Sequence, residues 1–517
     1  MIQVNLNPLK MEGRNSLNKS FTTTLDEIIK GYRVLNIKGS TQAIVRSVCY
    51  DSRKAKPDSL FVAIRGNQNN GEEFIGNALA NGATIVVTES SYSADQFSNI
   101  GNITYIQVES CRDALSFIAS KFYKEPSRKL RLFGITGTNG KTTVTYLLES
   151  IFQNQEKLVG VIGTINSRYS EKVQASSMTT PESLDLNREL SEMVRAGIEY
   201  CFLEVSSHAL ALNRVNNLHF DTILFTNFTR DHLDFHSTLE DYKNVKKSLF
   251  KKFPKAKAII NIDDPVGLEI LAENPTLDFS KVGTSSNAEI RAVNIQLSSV
   301  CTKWTLQTPL GNQKINSKLL GLHNIYNQLI ATSAALSQNI SLEAIATGLE
   351  KTKTVPGRFE SIERGQPFSV IIDYAHTEDA LTNTLKACKS MAKKRIILVF
   401  GCGGDRDRGK RPKMGRVAFD GADILIVTSD NPRTENPDSI IEDICKGFPK
   451  ATKNNDNFFC ISDRQQAISR SIEIARPDDL VLVAGKGHET YQILNSGAIT
   501  FNDRAVAIEA LIKRYGN

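Results

Sequence analysis

The chain contains 517 residues, of which 40% are hydrophobic and 23% are charged, and its formal net charge is +7. This length predicts about three domains, and the composition is typical of a folded globular protein and excludes a disordered chain. The mild positive charge fits anionic substrates. The basic residues form no long runs, so nucleic-acid binding is not predicted.

The eight cysteines are scattered and include no CxxC pair. This pattern predicts reduced thiols in a cytoplasmic protein and argues against a disulfide framework or a zinc site. No apolar run approaches the roughly 18 residues that a membrane helix needs, so membrane insertion is not predicted. Residues 1–20 lack the apolar core of a signal peptide and are expected to form a flexible polar extension.

The first predicted domain covers residues 1–124 and has a strand, helix, strand pattern. The strands are "LFVAIRG" and "TIVVTE", and the helix between them is "EEFIGNALANGA". Apolar runs bounded by turn residues predict the strands, and apolar residues at helical spacing predict the helix. The stretch "YKEPSRK" marks the end of this domain.

The second predicted domain, residues 125–355, begins with the strongest chemical signal of the chain. The strand "RLFGIT" runs into the glycine-rich turn "GTNG", and Lys141 and Thr142 then open a helix. In such a loop the backbone amides bind phosphates, the lysine reaches the terminal phosphates, and the threonine hydroxyl can ligate magnesium. The loop is tighter than the usual GxxxxGK[ST], because Ile135 stands where the first glycine is expected. Binding of a nucleoside triphosphate is therefore predicted.

The third predicted domain, residues 356–517, starts where Pro356 and Gly357 interrupt the preceding helix. It contains four predicted strands, "SVIIDY", "RIILVF", "DILIVTS" and "LVLVAG", separated by helical segments. This alternation predicts parallel, doubly wound sheets in both later domains. The expected fold class is α/β, with a small N-terminal α/β domain, a central P-loop ATPase with a mostly parallel sheet, and a C-terminal Rossmann-like doubly wound domain.

Glycine and charge recur in the loops that follow those four strands, "AHTED", "GCGGDRDRGKR", "DNPRTENP" and "KGHETYQ". Each loop taken alone is better explained by ordinary turn chemistry. Ligands of open α/β sheets, however, bind outside the carboxyl ends of the strands. The four loops together therefore predict a cleft for a polar ligand.

Two candidate metal ligands follow strands of the second domain. Glu204 ends the strand in "LEVSSH", and His232 lies in "TRDHLDFH" after another strand. Beside a phosphate loop, a magnesium role and a purely structural role are both open on spacing alone. The NKxD signature of many regulatory GTPases does not occur, which weakens the interpretation as a molecular switch.

Motifs along almost the whole chain after residue 20 resemble, in the same order, those of the Mur ligases. These motifs are "TGTNGKTT", "EVSSHAL", "TNFTRDHLDFH", "GLHNIYN", "VPGRFE", "DYAHTEDAL", "GCGGDRDRGKRPKMG", "SDNPRTENP" and "AGKGHETYQ". The resemblance implies an N-terminal domain for the UDP end of the substrate, a central ATPase, and a C-terminal domain that brings the amino acid.

The resemblance implies a set of ATP-binding and metal-binding residues. The ATP set is Gly137, Thr138, Asn139, Gly140, Lys141, Thr142, Thr143, Asn324, Asn327, Arg358 and Asp373. The magnesium set is Thr142, Glu204, His232 and Lys246, and the catalytic set is Lys141, Lys246, His232 and Glu204. Lys246 matches a lysine that becomes carbamylated (N6-carboxylysine) in these enzymes. Without that match it would be expected to be one more solvated charge beside Lys243 and Lys247.

The substrate residues are implied in the same way. The UDP-muramoyl dipeptide set is Tyr50, Ser52, Asn67, Gln68, Asn69, Thr179, Thr180, Ser206 and Arg214. Met178 and Leu212 stand where some relatives carry polar residues, so neither is assigned a contact.

The motif "DNPR" concerns the choice of the incoming amino acid. meso-Diaminopimelate keeps a zwitterionic head to be recognised after its other amine reacts. Arg433 offers a bidentate donor for the carboxylate of that head, and Asp430 and Glu489 offer acceptors for its ammonium group. L-Lysine would leave the arginine unpaired, and lysine-adding relatives lack this arginine. The predicted diaminopimelate contacts are Arg406, Asp430, Asn431, Pro432, Arg433, Gly485 and Glu489.

The implied activity is ATP-dependent amide ligation with Mg²⁺ as cofactor. The enzyme would add meso-2,6-diaminopimelate to the D-glutamyl γ-carboxylate of UDP-N-acetylmuramoyl-L-alanyl-D-glutamate through an acyl phosphate, in cytoplasmic peptidoglycan precursor synthesis, and would act as a monomer. Cell shape and cell division depend on such cell-wall synthesis. Addition of L-lysine is the first alternative. A folylpolyglutamate-synthase-like ligase would not need the N-terminal uridine-binding block, and a P-loop regulatory NTPase is a remote alternative.

Overall fold

The computed structural model of the chain describes residues 22–66, 69–91, 103–298, 300–449 and 457–516. The predicted extension, residues 1–20, and the predicted substrate residues Asn67 and Gln68 lie outside the described residues. The described residues form two compact units. Unit 1 comprises the described residues within 1–129, 181–195 and 212–218, and unit 2 comprises the described residues within 130–180, 196–211 and 219–517.

Unit 1 is built on a five-stranded sheet with the order β2-β7-β6-β5-β4. Its first elements are β1 (Thr23–Thr24), α1 (Leu25–Ile29), β2 (Asn36–Lys38), β3 (Ile44–Val45), β4 (Ser47–Cys49), β5 (Ser59–Val62), α2 (Ile75–Ala80), β6 (Ala83–Thr88), β7 (Thr104–Gln107) and α3 (Cys111–Phe122). The predicted strand, helix, strand pattern is confirmed as β5, α2 and β6. Leu60 and Val62 of β5 and Ile85 and Val87 of β6 are buried in one core with α3.

The large sheet of unit 2 has the order β11-β10-β9-β12-β8-β13-β14-β15-β16-β17-β18. The chain passes through β8 (Arg131–Thr136), α4 (Lys141–Gln153), β9 (Val159–Ile162), β10 (Asn166–Tyr169), β11 (Lys172–Ala175), α5 (Ser183–Arg195, in unit 1), β12 (Tyr200–Glu204), α6 (Ser207–Ala211), β13 (Thr222–Phe225), α7 (Leu239–Lys252), β14 (Lys257–Asn261), α8 (Pro265–Glu273), β15 (Phe279–Gly283), β16 (Ile290–Leu297), β17 (Thr302–Thr308), β18 (Gly311–Ser317), α9 (Leu322–Leu336) and α10 (Leu342–Lys351). Seven neighbouring strands in the middle of this sheet, in the order β9-β12-β8-β13-β14-β15-β16, pair in parallel, as predicted for a mostly parallel sheet.

Antiparallel strands extend this sheet at both edges, and the sequence analysis did not predict them. β10 and β11 form a hairpin at one edge, and β16 to β18 form a meander at the other. The signal for β17 is the alternation in "TKWTLQT", whose first, third, fifth and seventh residues are buried. Side chains of successive strand residues point to opposite faces, so a half-buried strand can be recognised by this period even when its mean polarity is high.

The second sheet of unit 2 has the order β19-β20-β24-β21-β22-β23. Its elements are β19 (Glu360–Ser361), β20 (Ser369–Asp373), α11 (Glu378–Met391), β21 (Ile396–Phe400), α12 (Lys410–Gly421), β22 (Ile424–Val427), α13 (Pro437–Cys445), β23 (Phe458–Cys460), α14 (Arg464–Ile474), β24 (Leu480–Ala484), β25 (Tyr491–Leu494), β26 (Gly497–Thr500) and α15 (Asp503–Tyr515). The four predicted strands are β20, β21, β22 and β24, and all are parallel.

Helices cover both faces of this second sheet. Side chains of α11, α12 and α13 share one buried core with it, and those of α14 and α15 share another. This confirms the predicted doubly wound α/β arrangement. The predicted domain boundaries near residues 124 and 355 stay predictions. Within the described ranges, no helix is both long and apolar enough to cross a bilayer.

The apolar face of α4 shows why a helix follows the phosphate loop. Leu147, Leu148 and Ile151 recur at helical spacing and are fully buried in the core of the large sheet. Trp304, the single tryptophan of the chain, belongs to the same core. Packing against the sheet holds the helix, so its N-terminus is fixed at the end of β8.

We expect Leu148→Ala to lower the free energy of unfolding of unit 2 by about 2–5 kcal/mol, because it leaves a cavity in a close-packed core. Leu158→Ala is the matched control. Leu158 is 52% exposed, and its loss should cost no more than about 0.5 kcal/mol. Urea denaturation followed by Trp304 fluorescence measures both variants, and equal losses would contradict the assignment of Leu148 to the core.

Candidate active site

The phosphate loop lies between β8 and α4 and has no room for side chains at its two glycines. Gly137 has φ +144° and Gly140 has φ +89°, values that L-residues with a side chain rarely adopt. A Cβ atom at Gly137 would lie 1.8 Å from Thr226 Oγ1, and one at Gly140 would lie 2.2 Å from Asn327 Oδ1. The backbone of the loop is therefore pressed against β13 and α9, which fixes its shape.

Hydrogen bonds complete the loop. Thr226 Oγ1 donates to Asn139 O over 2.6 Å, and the Asn139 amide donates to Asn227 Oδ1 over 2.9 Å. Thr138 Oγ1 lies 3.1 Å from Tyr242 Oη. Thr143 is buried in the first turn of α4. The predicted strand, glycine turn and helix are thus present, and each residue of the loop is held by its neighbours.

Lys141 folds back over the loop. Its Nζ donates to the carbonyl oxygens of Gly137 and Thr138, each over 2.9 Å. Burial lowers the pKa of Lys141 below its usual value, although nearby Glu204 opposes this effect. The ammonium group is therefore positioned at the loop where a triphosphate would bind.

Two asparagines of α9 and Arg358 border the same loop. Asn327 Nδ2 donates to Asn324 Oδ1 over 3.0 Å, and both side chains are buried. Arg358 Nη2 donates to Thr142 Oγ1 over 3.3 Å, and its guanidinium lies 4.6 Å from the ring centre of Tyr374. The structure therefore brings these predicted ATP residues together around the start of α4.

Asp373 has a supporting position. Its carboxylate accepts hydrogen bonds from the amides of Phe359 and Ala375, over 2.8 and 3.0 Å, and from Thr384 Oγ1 over 3.0 Å. The bond to Phe359 holds the chain next to Arg358. Asp373 thus anchors the segment that carries Arg358 to the end of β20.

Glu204 lies at the carboxyl end of β12, as predicted, and its carboxylate is buried. Thr142 Oγ1 donates to Glu204 Oε2 over 3.0 Å. Thr164 donates to both carboxylate oxygens, through its amide over 2.9 Å and its hydroxyl over 2.9 Å. A Cβ atom at Gly163 would lie 2.2 Å from Glu204 Oε1. Thr164 was not predicted; its only sequence signal is the "GT" that follows the buried strand β9.

His232 lies in the loop between β13 and α7 with φ +52°. Its Nε2 is 3.6 Å from Asp231 Oδ2. Burial lowers the pKa of His232 to about 4, with Asp231 opposing and Lys141 and Lys246 adding to the shift. The imidazole is therefore neutral at pH 7, which is the form that binds metals.

Lys246 is not a solvated charge, which is what composition without the family match would suggest. It is only 1% exposed, and its Nζ donates to Gly137 O over 2.8 Å and lies 4.7 Å from the ring centre of Tyr242. Burial, with the repulsion of Lys141, holds the pKa of Lys246 well below its usual value. Composition cannot show that this face of α7 packs onto the phosphate loop.

The neighbouring lysines of α7 pair with α8. Lys243 and Lys247 lie 3.1 and 3.0 Å from Glu269 Oε2, and Lys247 also pairs with Glu273. The carboxylates of α8 therefore neutralise two lysines of this helix, while Lys246 faces the phosphate loop.

The donor set fits a magnesium ion in its chemistry. The hydroxyl of Thr142 and the carboxylate of Glu204 are hard oxygen ligands, as Mg²⁺ prefers, and they are already in contact. Among the described residues, no cluster of three histidine, cysteine, aspartate or glutamate side chains is arranged around a metal position. A magnesium site here would therefore draw on the hydroxyl of Thr142 and on a modified Lys246 as well as on Glu204 and His232.

Three of the predicted peptide-binding residues form a cluster next to Glu204 in unit 2. Thr180 Oγ1 donates to Glu204 O over 2.7 Å and lies 3.3 Å from Ser206 Oγ. Thr179 Oγ1 lies 3.1 Å from Thr164 Oγ1. These hydroxyls surround the end of β12, beside the phosphate loop.

The remaining predicted substrate residues lie in unit 1. Arg214 Nε is 3.3 Å from Glu182 Oε2. Tyr50 Oη donates to Asp185 Oδ2 over 2.6 Å. Ser52 is buried at a short 3₁₀ turn, and Asn69 is exposed. The structure pairs Tyr50 with a carboxylate of α5 and Arg214 with the carboxylate just before that helix, but it does not bring this whole set together in one cluster.

The loops after β21 and β22 carry the two predicted arginines. Arg433 has φ +53°, an uncommon value for a side-chain-bearing residue. Its Nη1 donates to Gly404 O over 2.7 Å and to Asn431 O over 3.4 Å. A Cβ atom at Gly403 would lie 3.0 Å from Arg433 Nη1 and 3.7 Å from Arg406 Cγ. Both predicted arginines thus flank the same glycine.

The predicted acceptors lie on the loops after β22 and β24. Asp430 Oδ1 accepts from the Asn431 amide over 2.7 Å. Gly485 has φ +119°, and a Cβ atom there would lie 2.7 Å from Asp430 Oδ2. Glu489 Oε2 accepts from Asn431 Nδ2 over 3.0 Å. Pro432 closes the turn, because its carbonyl accepts from the Glu435 amide over 3.0 Å.

A buried ion pair that was not predicted joins the arginine-bearing loops. Arg411 donates to both carboxylate oxygens of Glu435, over 3.0 and 2.8 Å, and also to Gly403 O over 3.3 Å. Arg411 lowers the pKa of Glu435 to about 2. Such a bidentate pair gives directional rigidity, so it sets the separation of the two loops.

Family models match three stretches of the chain. They are the catalytic domain of the Mur ligase family over residues 44–123, the Mur ligase middle domain over residues 135–335, and the Mur ligase glutamate ligase domain over residues 357–487. Together these matches cover most of the chain.

The chain belongs to the Mur ligase family.

Two relatives named UDP-N-acetylmuramoyl-L-alanyl-D-glutamate--2,6-diaminopimelate ligase are similar over almost the full length. The protein of Caldanaerobacter subterraneus subsp. tengcongensis is 43% identical over 94% of this chain and 98% of its own. That of Clostridium tetani is 41% identical over 95% of this chain and 100% of its own. A solved structure of a ligase with the same name superposes with a TM-score of 0.67 at 31% identity, covering 96% of this chain and 99% of that one. The predicted family, enzyme class and three-domain α/β fold are confirmed.

We expect Gly163→Ala to lower the turnover of this Mur ligase on the order of 100-fold, because the added methyl group displaces the Glu204 carboxylate by about an ångström or more. The measurement is steady-state ligation under saturating substrates. Gly76→Ala is the control, since nothing lies within 4 Å of a Cβ atom at Gly76. Turnover that is unchanged in Gly163→Ala would show that the position of Glu204 does not matter.

Proposed function

We propose that the chain is an ATP-dependent ligase that joins meso-2,6-diaminopimelate to the D-glutamyl γ-carboxylate of UDP-N-acetylmuramoyl-L-alanyl-D-glutamate. The relatives named above support this choice, and one structural observation carries it to the residues. Asn431 contacts Asp430, Glu489 and Arg433: its amide donates to Asp430 Oδ1 over 2.7 Å, its Nδ2 donates to Glu489 Oε2 over 3.0 Å, and its carbonyl accepts from Arg433 Nη1 over 3.4 Å. A cation and two acceptors in one place suit a zwitterionic amino-acid head.

The reaction needs activation because a free carboxylate is a poor electrophile. In the proposed mechanism the substrate carboxylate attacks the γ-phosphorus of ATP and forms an acyl phosphate, with ADP as the leaving group. Lys141 stabilises the charge that develops on the phosphoryl oxygens. The neutral amine of diaminopimelate then attacks the acyl carbon, the tetrahedral intermediate expels phosphate, and the amide forms.

The residues of unit 2 hold the reacting groups. Arg358 contacts Thr142 at the start of α4, so it would add a second cation at the phosphate end. Thr142, Glu204, His232 and a carbamylated Lys246 would hold Mg²⁺, which supplies charge neutralisation at the triphosphate when bound. Most of the rate enhancement would come from positioning, because both steps join groups that are otherwise free in solution.

The predicted roles of the three domains are part of the proposal. Residues 1–124 would bind the UDP end, residues 125–355 would bind ATP and the dipeptide, and residues 356–517 would bind diaminopimelate. UDP-muramoyl peptides are charged, soluble molecules, which supports action in the cytoplasm, and we propose a monomer.

The carbamate on Lys246 is supported by the geometry of Gly137 O. Both Lys141 and Lys246 donate to this one carbonyl oxygen, over 2.9 and 2.8 Å. Two ammonium groups so close together and buried repel each other strongly. Loss of one proton gives the neutral Lys246 amine, and its reaction with CO₂ releases a second proton, so a cation is replaced by an anion and this repulsion is removed.

We expect Arg433→Asn to lower kcat/KM for meso-diaminopimelate on the order of 100-fold or more, because the substrate carboxylate loses its buried partner. Asparagine tolerates positive φ, so the backbone at this position is preserved. The assay measures ATP-dependent ligation of muramoyl dipeptide with meso-diaminopimelate or L-lysine as the acceptor.

The control for this variant is Arg416→Asn, which removes an arginine paired with Asp420 on the surface of α12. It should keep full activity. Preferential use of L-lysine by the unchanged chain would overturn the proposed substrate, and phosphate release without muramoyl dipeptide would favour a regulatory NTPase.

We expect protein equilibrated with ¹³C-bicarbonate to show a carbamate signal in ¹³C NMR that is assigned to Lys246, because burial lowers the pKa of this amine and the neutral amine is the form that reacts with CO₂. Lys246→Arg should abolish the signal and the ligase activity. Lys247→Arg is the matched control, since Lys247 is also buried, at 4% exposed, but pairs with Glu269. A carbamate signal that survives in Lys246→Arg would refute the modification.

A further inference from the structure

We propose that Lys486 sets the charge of the pocket that binds the distal head of the incoming amino acid, which is the end that does not react. In this way Lys486 selects a zwitterionic head over a cationic one. The inference rests on the proposed function and deepens it. Lys486 was not among the predicted diaminopimelate contacts. It lies in the loop after β24, in the motif "GKGHE".

Lys486 is fully buried, with an exposed fraction of 0%. Its Nζ donates to Glu489 Oε2 over 2.7 Å and to Asn431 Oδ1 over 3.0 Å. A buried ammonium is costly unless it is paired and hydrogen-bonded. Both of its partners belong to the predicted diaminopimelate set, so the buried charge serves that site directly.

Asn431 connects the lysine to the rest of the pocket. Its Oδ1 accepts from Lys486 Nζ and from the Ile493 amide, the latter over 2.9 Å. Its Nδ2 donates to Glu489 Oε2 over 3.0 Å. Lys486 Nζ and Asn431 Nδ2 therefore donate to the same oxygen of Glu489, Oε2, which orients the carboxylate.

The glycines on either side of Lys486 hold its loop close to the neighbouring loops. Gly485 and Gly487 have φ +119° and +53°. A Cβ atom at Gly485 would lie 2.7 Å from Asp430 Oδ2, and one at Gly487 would lie 2.7 Å from Gly357 O. The backbone that carries Lys486 is thus fixed against the loop that carries Asp430 and Asn431.

The charges of this pocket balance only when Lys486 is counted. Asp430 and Glu489 are the two anions, and Arg433 and Lys486 are the two cations. Arg464 is also near the two anions, but it is neutralised by a buried pair with Asp503 over 2.7 Å. The exposed Arg406 is screened by solvent.

A neutral pocket suits the distal head of diaminopimelate, whose carboxylate and ammonium cancel. L-Lysine brings an ammonium without the carboxylate, so it adds an unbalanced positive charge. Without Lys486 the pocket would carry one net negative charge and would favour the cationic head. Lys486 is therefore a positioning and charge-setting residue, which acts on the amino acid through Glu489 and Asn431.

Lys486→Gln tests this role, because glutamine removes the charge and keeps a hydrogen-bond donor. We expect kcat/KM for meso-diaminopimelate to fall on the order of 100-fold, as when one partner of a buried charge pair is lost. The preference for diaminopimelate over L-lysine should fall by at least about 10-fold. KM for ATP and for muramoyl dipeptide should stay within about 3-fold, since Asn431 and Glu489, to which Lys486 Nζ donates, lie outside the predicted ATP and dipeptide sets.

Arg395→Gln is the matched control. Arg395 pairs with Asp479 over 2.6 Å, just before β21 and β24. It therefore lies at the amino end of the same sheet, opposite the amino-acid loops. This variant loses an ion pair of the same sheet and should leave the ratio of the two amino acids unchanged.

The double variant Lys486→Gln with Glu489→Gln distinguishes neutralisation of Glu489 by Lys486 from a purely structural role of Lys486. If Lys486 acts by neutralising Glu489, removing both charges restores the balance, and the preference for diaminopimelate partly recovers. If the losses of preference for diaminopimelate in the two single variants simply add in the double variant, Lys486 has a structural role and the inference is overturned. Loss of folded structure in both Lys486→Gln and Lys486→Met would overturn it as well.

The assay result that refutes the proposed function differs from the result that refutes the role of Lys486 alone. If the unchanged chain ligates neither amino acid, the proposed function falls, and this inference falls with it. If the unchanged chain uses diaminopimelate while Lys486→Gln keeps the same ratio of the two amino acids, only the role of Lys486 is refuted.

Discussion

The carbonyl oxygen of Gly137 is the point on which the phosphate end of the site depends. It accepts hydrogen bonds from Lys141 and Lys246, and the residue itself has no space for a Cβ atom beside Thr226. The backbone is therefore held rigidly where two buried lysines converge. Phosphoryl transfer is catalysed mainly by positioned charge, so this one constraint holds the two lysines where the proposed reaction needs a triphosphate and a carbamylated Lys246.

The amino-acid end of the site uses buried ion pairs to hold loops in place. Arg464, paired with Asp503, donates to Ser429 O over 3.2 Å and to Ala484 O over 3.0 Å. These carbonyls lie directly before Asp430 and Gly485. Buried pairs of this kind contribute little net stability, but they fix the ends of β22 and β24 relative to each other. Precise loop placement, more than stability, explains why such charges are buried here.

Much of the fold could be predicted from periodicity. The strand, glycine turn and helix around Lys141, and the four parallel strands of the second sheet, follow from apolar runs and turn residues. The antiparallel edge strands β10, β11 and β16 to β18 were missed, because their sequences are rich in polar residues and lack the continuous apolar runs by which the other strands were predicted. Motifs also predicted the residues of the candidate site, but not the contacts that Thr164, Arg411, Arg464 and Lys486 make.

The sequence by itself determined the family, the phosphate loop and the residue types at the strand ends, because these are local patterns whose spacing survives in the linear chain. Only the tertiary structure decided which charges are buried and with which partners. Lys243, Lys246 and Lys247 are alike in sequence, yet Lys246 alone faces the phosphate loop while the other two pair with Glu269. Burial and pairing depend on residues far apart in the chain, so no local pattern contains them.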